Sequence, residues 1–241
     1  MSGHSKWATI HRQKEATDQK RGQAFTKVAN AITVAVREGG GVTDPEHNFR
    51  LRLAIEKGRS LNMPKENIER AIKRGTGELE GVVIENITYE AFGPGGVAFV
   101  INVLTDNKNR AVAEIKHILS KYGGGLGGPN SVLWMFDRRG VIRVENIAGK
   151  REEMELKAIE LGAEDIAEED EALVIYTQPN DLQKVKEGLE TTGINIEYAE
   201  VELVPQNKVK VEDPKIQEKI EKLSEELDDN PDIDDYYNNL T

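Results

Sequence analysis

Between residues 140 and 203 the hydrophobic period of the sequence switches in an order that leaves few folds open. The run "VIRV" after Gly140 alternates like a strand, and residues 150–161 then repeat at helical spacing. Strand-like runs follow near 163–168 and 172–177, then a helix over 180–190 introduced by "PND", then a last strand over 194–203. The order β-α-β-β-α-β is the split unit of ferredoxin-like domains, in which two helices cover one face of an antiparallel sheet. A domain over 139–204 is therefore expected to be ferredoxin-like.

The segment before it, 78–138, gives only β-β-α-β. Strands are expected over 82–91 and 97–104, joined by "FGPGG", whose glycines and proline suit a hairpin turn. A helix over 109–121 places Ala111, Val112, Ile115, Ile118 and Leu119 on one side. A glycine-rich loop and a short strand, "SVLWMF" (131–136), come next. The missing second helix is available in "PKIQEKIEKLSEEL" (214–227), with Ile216, Ile220, Leu223 and Leu227 on one stripe. The expectation is a discontinuous middle domain, 78–138 with 205–241, into which the domain 139–204 is inserted. The acidic end, "DDNPDIDDYYNNLT", reads as mobile.

Residues 1–77 read as a basic arm and three helices. Phe25, Val28, Ala29, Ile32 and Val36 form one stripe that Gly39 to Gly41 terminate. A second helix is expected to start at Asp44 as N-cap with Pro45 in its first turn. A third opens at Pro64 and buries Ile68, Ala71 and Ile72. The fold class is α+β in three domains: a three-helix domain and two ferredoxin-like α/β domains with mainly antiparallel sheets.

Charge is segregated along this plan. The chain holds 32 Lys and Arg against 43 Asp and Glu, a net charge of −11, yet residues 1–77 hold 15 basic and 8 acidic groups. Such a split points to a polyanion-binding module on an acidic body. No apolar run is long enough to span a bilayer, and the N-terminus has neither a secretory nor a transit pattern, so a cytoplasmic protein without a membrane partner is expected. With no cysteine there is no disulfide, no thiolate nucleophile and no soft zinc ligand.

The arm "GHSKWATIHRQK" (3–14) concentrates Lys6, Arg12 and Lys14, and Lys20 and Arg21 follow. Those cations can displace counterions from phosphates, while Trp7, His4 and His11 can stack or donate. On the third helix Arg70, Lys73 and Arg74 share one face, although Glu66 shares it and Glu69 flanks it, which weakens a duplex-reading role. "YGGGLGGPNS" (122–131) has the glycine spacing of a P-loop, but Pro129 and Asn130 stand where Lys and Ser or Thr belong. It reads instead as a mobile, partner-contacting loop with Gly124, Gly125, Gly127 and Asn130 as its contact residues. His4, His11, His47 and His117 lack ligand spacing, and "EEDE" (168–171) reads as a solvated turn. Nothing groups into a nucleophile, base and orienter, so neither an enzyme, a small-molecule substrate, a metal nor a cofactor is expected.

Several long blocks resemble one known family. "GHSKWATIHRQKEATDQKRGQAFTK", "REGGG", "RLRLAIEKGRSLNMPKENIERAIKRGTG", "YEAFGPGGVAFVINVLTDNKNRAVAEIKH" and "NSVLWMFDRRGVI" look like the YebC/PmpR family, in order and over nearly the whole chain. That family includes a mitochondrial translational activator of cytochrome c oxidase. The resemblance implies a cytoplasmic, non-catalytic regulator of gene expression in three domains. Its target would be promoter DNA or, in the alternative, ribosomal RNA on a ribosome stalled at sequences such as proline runs. It maps the basic blocks of the family onto Gly3 to Trp7, Lys20 to Lys27 and Lys65 to Arg74, adding Lys27 and Lys65 to the candidate contacts. "ATIHRQK" is less basic than the usual version, and "GGPNS" replaces a glycine-serine ending. A reading of another class remains: the ferredoxin-like domains bind an effector or a protein, and the helices only dock.

Overall fold

The computed structural model, which describes residues 18–145, 151–169 and 172–241, opens on helix α1 (Asp18–Glu38). Val28, Ile32 and Val36 of its apolar stripe are buried against Leu51 and Ile55 of α2 (Phe49–Ser60) and Ile68 and Ala71 of α3 (Lys65–Thr76). The spacing of these residues at three and four positions makes the three-helix core. Gly77, left-handed at φ 80°, ends α3.

The start of α2 corrects the expectation at Asp44. That carboxylate accepts the Glu46 amide at 3.0 Å and the His47 ring at 2.8 Å, which closes a turn ahead of the helix. Asn48 is the cap. Its side-chain oxygen accepts Leu51 N–H at 3.1 Å, and its amide nitrogen donates to the carbonyls of Ala35 and Val42 at 3.0 and 3.1 Å. An aspartate could not supply those two donations.

In the first sheet β1 (Glu85–Phe92) pairs antiparallel with β2 (Ala98–Thr105), Tyr89 opposite Ile101. The two-residue β3 (Gly125–Leu126) lies on the far side of β1, and β8 (Ile233–Asn238) lies on the far side of β2. The order is therefore β3-β1-β2-β8. The hairpin turn holds a short 3₁₀ turn at Pro94–Gly96, with Gly95 and Gly96 at positive φ. One face buries Ala91, Phe99, Ile101 and Val103 beneath α4 (Lys108–Lys121) and α7 (Pro214–Asp229), which contribute Ile115, Leu119, Ile220, Leu223 and Leu227. On the other face α1 lies against β2 and β8, and Val34 joins Ile84 and Leu104 in a small cluster. Val82 and Val83 stay outside the strand and are exposed, so β1 starts three residues later than the period suggests.

Two further expectations fail. The acidic end is ordered: β8 buries Ile233 and Tyr237 while Asp232 grips Arg110 through two guanidinium nitrogens at 2.8 to 3.0 Å. Two of the acids that suggested a solvated tail are paired with cations, Asp232 with Arg110 and Asp235 with Lys57. "SVLWMF" is not a strand; Leu133–Met135 make a 3₁₀ turn and Phe136 begins a strand that runs on to Glu145.

That strand, β4 (Phe136–Glu145), belongs to a second compact unit that holds residues Trp134–Asn207, while the other described residues form the first. It continues with α5 (Arg151–Leu161), β5 (Asp165–Glu169), β6 (Ala172–Thr177), α6 (Leu182–Thr191) and β7 (Ile196–Pro205) in sheet order β5-β6-β4-β7, all neighbours antiparallel. This is the ferredoxin-like arrangement that the order of periods implied. A Cβ on Gly140 would stand 2.9 Å from Leu182 Cβ, so Gly140, Ile142 and Val144 face α6, and Arg139, Val141 and Arg143 line the opposite face. Of "EEDE", Asp170 and Glu171 lie outside the described residues.

Candidate nucleic-acid interface

The strongest feature available for a polyanion is the C-terminal half of α3. Burial of Ile68 and Ala71 turns Arg70 and Lys73 outward into solvent, and leaves Arg74 half-buried with its stem alongside Gly81. None of the three makes an ion pair with another described residue, whereas Lys65 at the opposite end lies 3.4 Å from Glu69. Lys73 and Arg74 also sit in the last turn, where the helix dipole favours positive charge. Arg59, exposed in the last turn of α2, is an additional cation free of ion pairs among the described residues, and it was not in the sequence-derived set.

The other sequence-derived contacts divide sharply. His4, Lys6, Trp7, His11, Arg12 and Lys14 lie outside the described residues. Lys20 falls in the first turn of α1 and Arg21 is exposed just after it. Lys27 is a correction. It is 9% exposed, and its ammonium donates to the Asp228 carbonyl at 2.7 Å. Burial pulls its pKa below the ordinary lysine value, against the opposing pull of Asp228, Asp234 and Asp235. A phosphate cannot reach an ammonium spent in this way, so Lys27 joins α1 to the C-terminal segment. Position on the helix could not reveal this, because the carbonyl that receives it lies 201 positions away.

The glycine-rich loop is likewise tied down. Glu90, on β1, accepts backbone N–H groups of Asn130 at 2.6 Å and of Val132 and Leu133 at 2.7 Å, and its own carbonyl accepts Gly127 N–H at 2.7 Å. Burial alone would raise the Glu90 pKa, but the converging amides outweigh it and hold the carboxyl below its usual range. Gly124 has no space for a side chain, since a Cβ would stand 2.5 Å from the Phe92 carbonyl oxygen, and a Cβ on Gly127 would displace Ser131 Oγ, 2.2 Å away. Gly125 pairs with Phe92 in the sheet, and Asn130 is exposed in the left-handed region at φ 60°. Sequence reasoning named the loop but missed Glu90, which looks like any other acid on a strand.

The helix-free face of the ferredoxin-like unit does not suit a polyanion. Tyr176 sits between Asp165 on β5 and Val141 on β4, with Glu202 on β7, and burial followed by Glu169, Glu202 and Asp165 raises its pKa well above the ordinary tyrosine value. Residues 134–207 hold 8 Lys and Arg against 18 Asp and Glu, a balance of −10. Sheets of this topology can present aromatic and basic residues to RNA. Here the acids dominate.

These features define a class: a multi-domain α+β protein whose helical module has a basic balance and whose ferredoxin-like unit has an acidic one. Similarity to known proteins assigns the family. The description "TACO1/YebC protein N-terminal domain" matches residues 5–78, and "TACO1/YebC second and third domain" matches residues 84–240, so the chain belongs to the TACO1/YebC family. It is 54% identical over 241 residues to a "probable transcriptional regulatory protein" of Moorella thermoacetica, covering 99% of this chain and 95% of that one. A protein of the same description from Halothermothrix orenii is 50% identical, with 100% and 95% covered. The crystal structure of a conserved hypothetical protein from Aquifex aeolicus superposes with a TM-score of 0.86 at 43% identity, covering 98% of this chain and 97% of that chain.

Proposed function

We propose that this YebC-type regulator acts in the cytoplasm without catalysis, by binding nucleic acid through the basic arm and the exposed cations of α3. The observation that carries the reading is the grouping of Arg70, Lys73 and Arg74 on one face of α3, none of them in an ion pair with another described residue. Three unpaired guanidinium and ammonium groups on one helix can each neutralise a phosphate and release its counterions. The name of the relatives favours DNA as the target. The geometry of α3 favours structured RNA, and so a ribosome-associated role. A recognition helix reads base edges from its N-terminal end, and that end of α3 carries Glu66 and the Lys65–Glu69 pair. Its cations lie at the other end, suited to a backbone.

Co-sedimentation with ribosomes from the same organism, in the presence of excess duplex DNA, separates the two targets. One variant changes Arg70, Lys73 and Arg74 to Ala, and a second changes Lys6, Arg12, Lys14, Lys20 and Arg21. Sedimentation that survives the DNA and is lost in both variants supports the ribosomal reading. Capture by the duplex, lost in the same variants, supports the transcriptional one. Binding to neither overturns the proposal.

A further inference from the structure

Phe92, the last residue of β1, keeps 40% of its surface exposed although it ends a strand whose preceding residue, Ala91, is completely buried. Alternation puts its ring on the same face as Glu90, where the glycine-rich loop crosses. Gly125 pairs directly with Phe92, Gly124 touches the Phe92 carbonyl, and the Glu90 carboxylate holds Asn130, Val132 and Leu133. Val132 is fully buried beneath the loop, and Gly128, Pro129 and Asn130 at its tip are exposed.

This arrangement is costly for a connection between α4 and β4. It uses a largely buried carboxylate, a glycine whose Cβ position the Phe92 carbonyl occupies and an asparagine in the left-handed region. Backbone conformations of this kind persist where a site must be preorganised. What is held in place also has a definite chemistry. Residues 122–131 carry no charge, and the charge of Glu90 is directed into the loop itself. The surface offers one aromatic face and one free amide side chain. That is poor chemistry for a phosphate and good chemistry for an unpaired base, which stacks on an aromatic ring and hydrogen-bonds along its edge.

We propose that Phe92 and Asn130 form a second, uncharged contact that takes an unpaired nucleobase, with Glu90 as the positioning residue that fixes the loop. The proposal rests on the nucleic-acid reading above and adds single-stranded specificity to it. It also gives the loop a purpose distinct from the salt-sensitive contacts of α3.

The test measures fluorescence anisotropy of a mixed-sequence single-stranded RNA about twelve nucleotides long, within the usual site-size range, and of its duplex, across a salt series, with the full chain. Phe92→Ala should weaken the single strand roughly ten-fold, leave the duplex unchanged and leave the salt slope intact. Phe92→Trp should restore binding. Glu90→Gln should weaken the single strand to a similar degree while faster amide exchange appears at Asn130, Val132 and Leu133. If Glu90→Gln does not fold, the Phe92 pair decides alone. Equal binding by Phe92→Ala and wild type overturns the site but leaves the α3 reading standing. A wild type that binds neither RNA overturns both.

Discussion

Asn48 satisfies three backbone groups at once: the Leu51 N–H that opens α2, the Ala35 carbonyl in the last turn of α1 and the Val42 carbonyl in the connection between them. Asn48→Ala should therefore cost more than a simple cap, about 2 kcal/mol or more, read from urea unfolding. Asn48→Asp keeps the cap and loses the two donations, so it should fall between wild type and Ala. Lys27 and Glu90 write opposite signatures into the pH dependence of stability. The Lys27 pKa is lowered in the fold, so the unfolded chain holds more protons as pH approaches the ordinary lysine range, and stability gains from this residue as pH rises there. The Glu90 pKa is also lowered, but for a carboxyl the consequence is a contribution present above its unfolded pKa and lost as pH falls through the folded one. The difference in unfolding free energy between wild type and Lys27→Met should change on the alkaline side only. For Glu90→Gln it should change on the acid side only. A flat difference in either case removes the titration from the account.

At the scale of elements, the C-terminal helix and strand complete a sheet that the first hundred residues cannot close. Ile220, Leu223 and Leu227 of α7 and Ile233 of β8 are essentially buried on β2, against Phe99 and Ile101. A chain ending after Asn207 would expose that core, and it should lose the cooperative thermal transition of the first sheet; Leu223→Ala in the full chain should cost about 2–5 kcal/mol. A truncated chain that melts like the full one would mean that α4 alone shields the sheet. The helix over 214–227 was legible because its apolar residues recur at three and four positions. The strand after it was hidden, since Asp232, Asp234 and Asp235 suggest solvent and only their partners, Arg110 and Lys57 among them, make them structural. The same blindness covers the candidate site. Periodicity reveals which face of α3 is exposed, and so brings Arg70 and Lys73 into view. It says nothing of long-range pairing, which removed Lys27 from the site, or of a strand acid that organises a loop forty residues later.

For the whole molecule the decisive quantity is how its charge is divided. Residues 134–207 carry a balance of −10, whereas residues 1–77, which hold the candidate cations, carry +7. Neutralising Arg70, Lys73 and Arg74 should flatten the dependence of log affinity on log salt by about one unit for each phosphate that is no longer neutralised. The acidic unit should act in the opposite sense and at longer range. Glu152, Glu153 and Glu190 are exposed on α5 and α6, and none is held in an ion pair among the described residues. Changing all three to Gln removes three negative charges without touching the core. If the acidic unit restrains non-specific capture through its field, this variant should bind random duplex DNA more tightly at about 10 mM salt, where the screening length is about 30 Å. The gain should vanish near 150 mM, where that length is about 8 Å. Affinity measured by anisotropy at the two salt concentrations distinguishes the possibilities. A gain that persists at high salt would mean that these carboxylates touch the nucleic acid, and no gain at either would mean that the acidic unit faces something other than a polyanion.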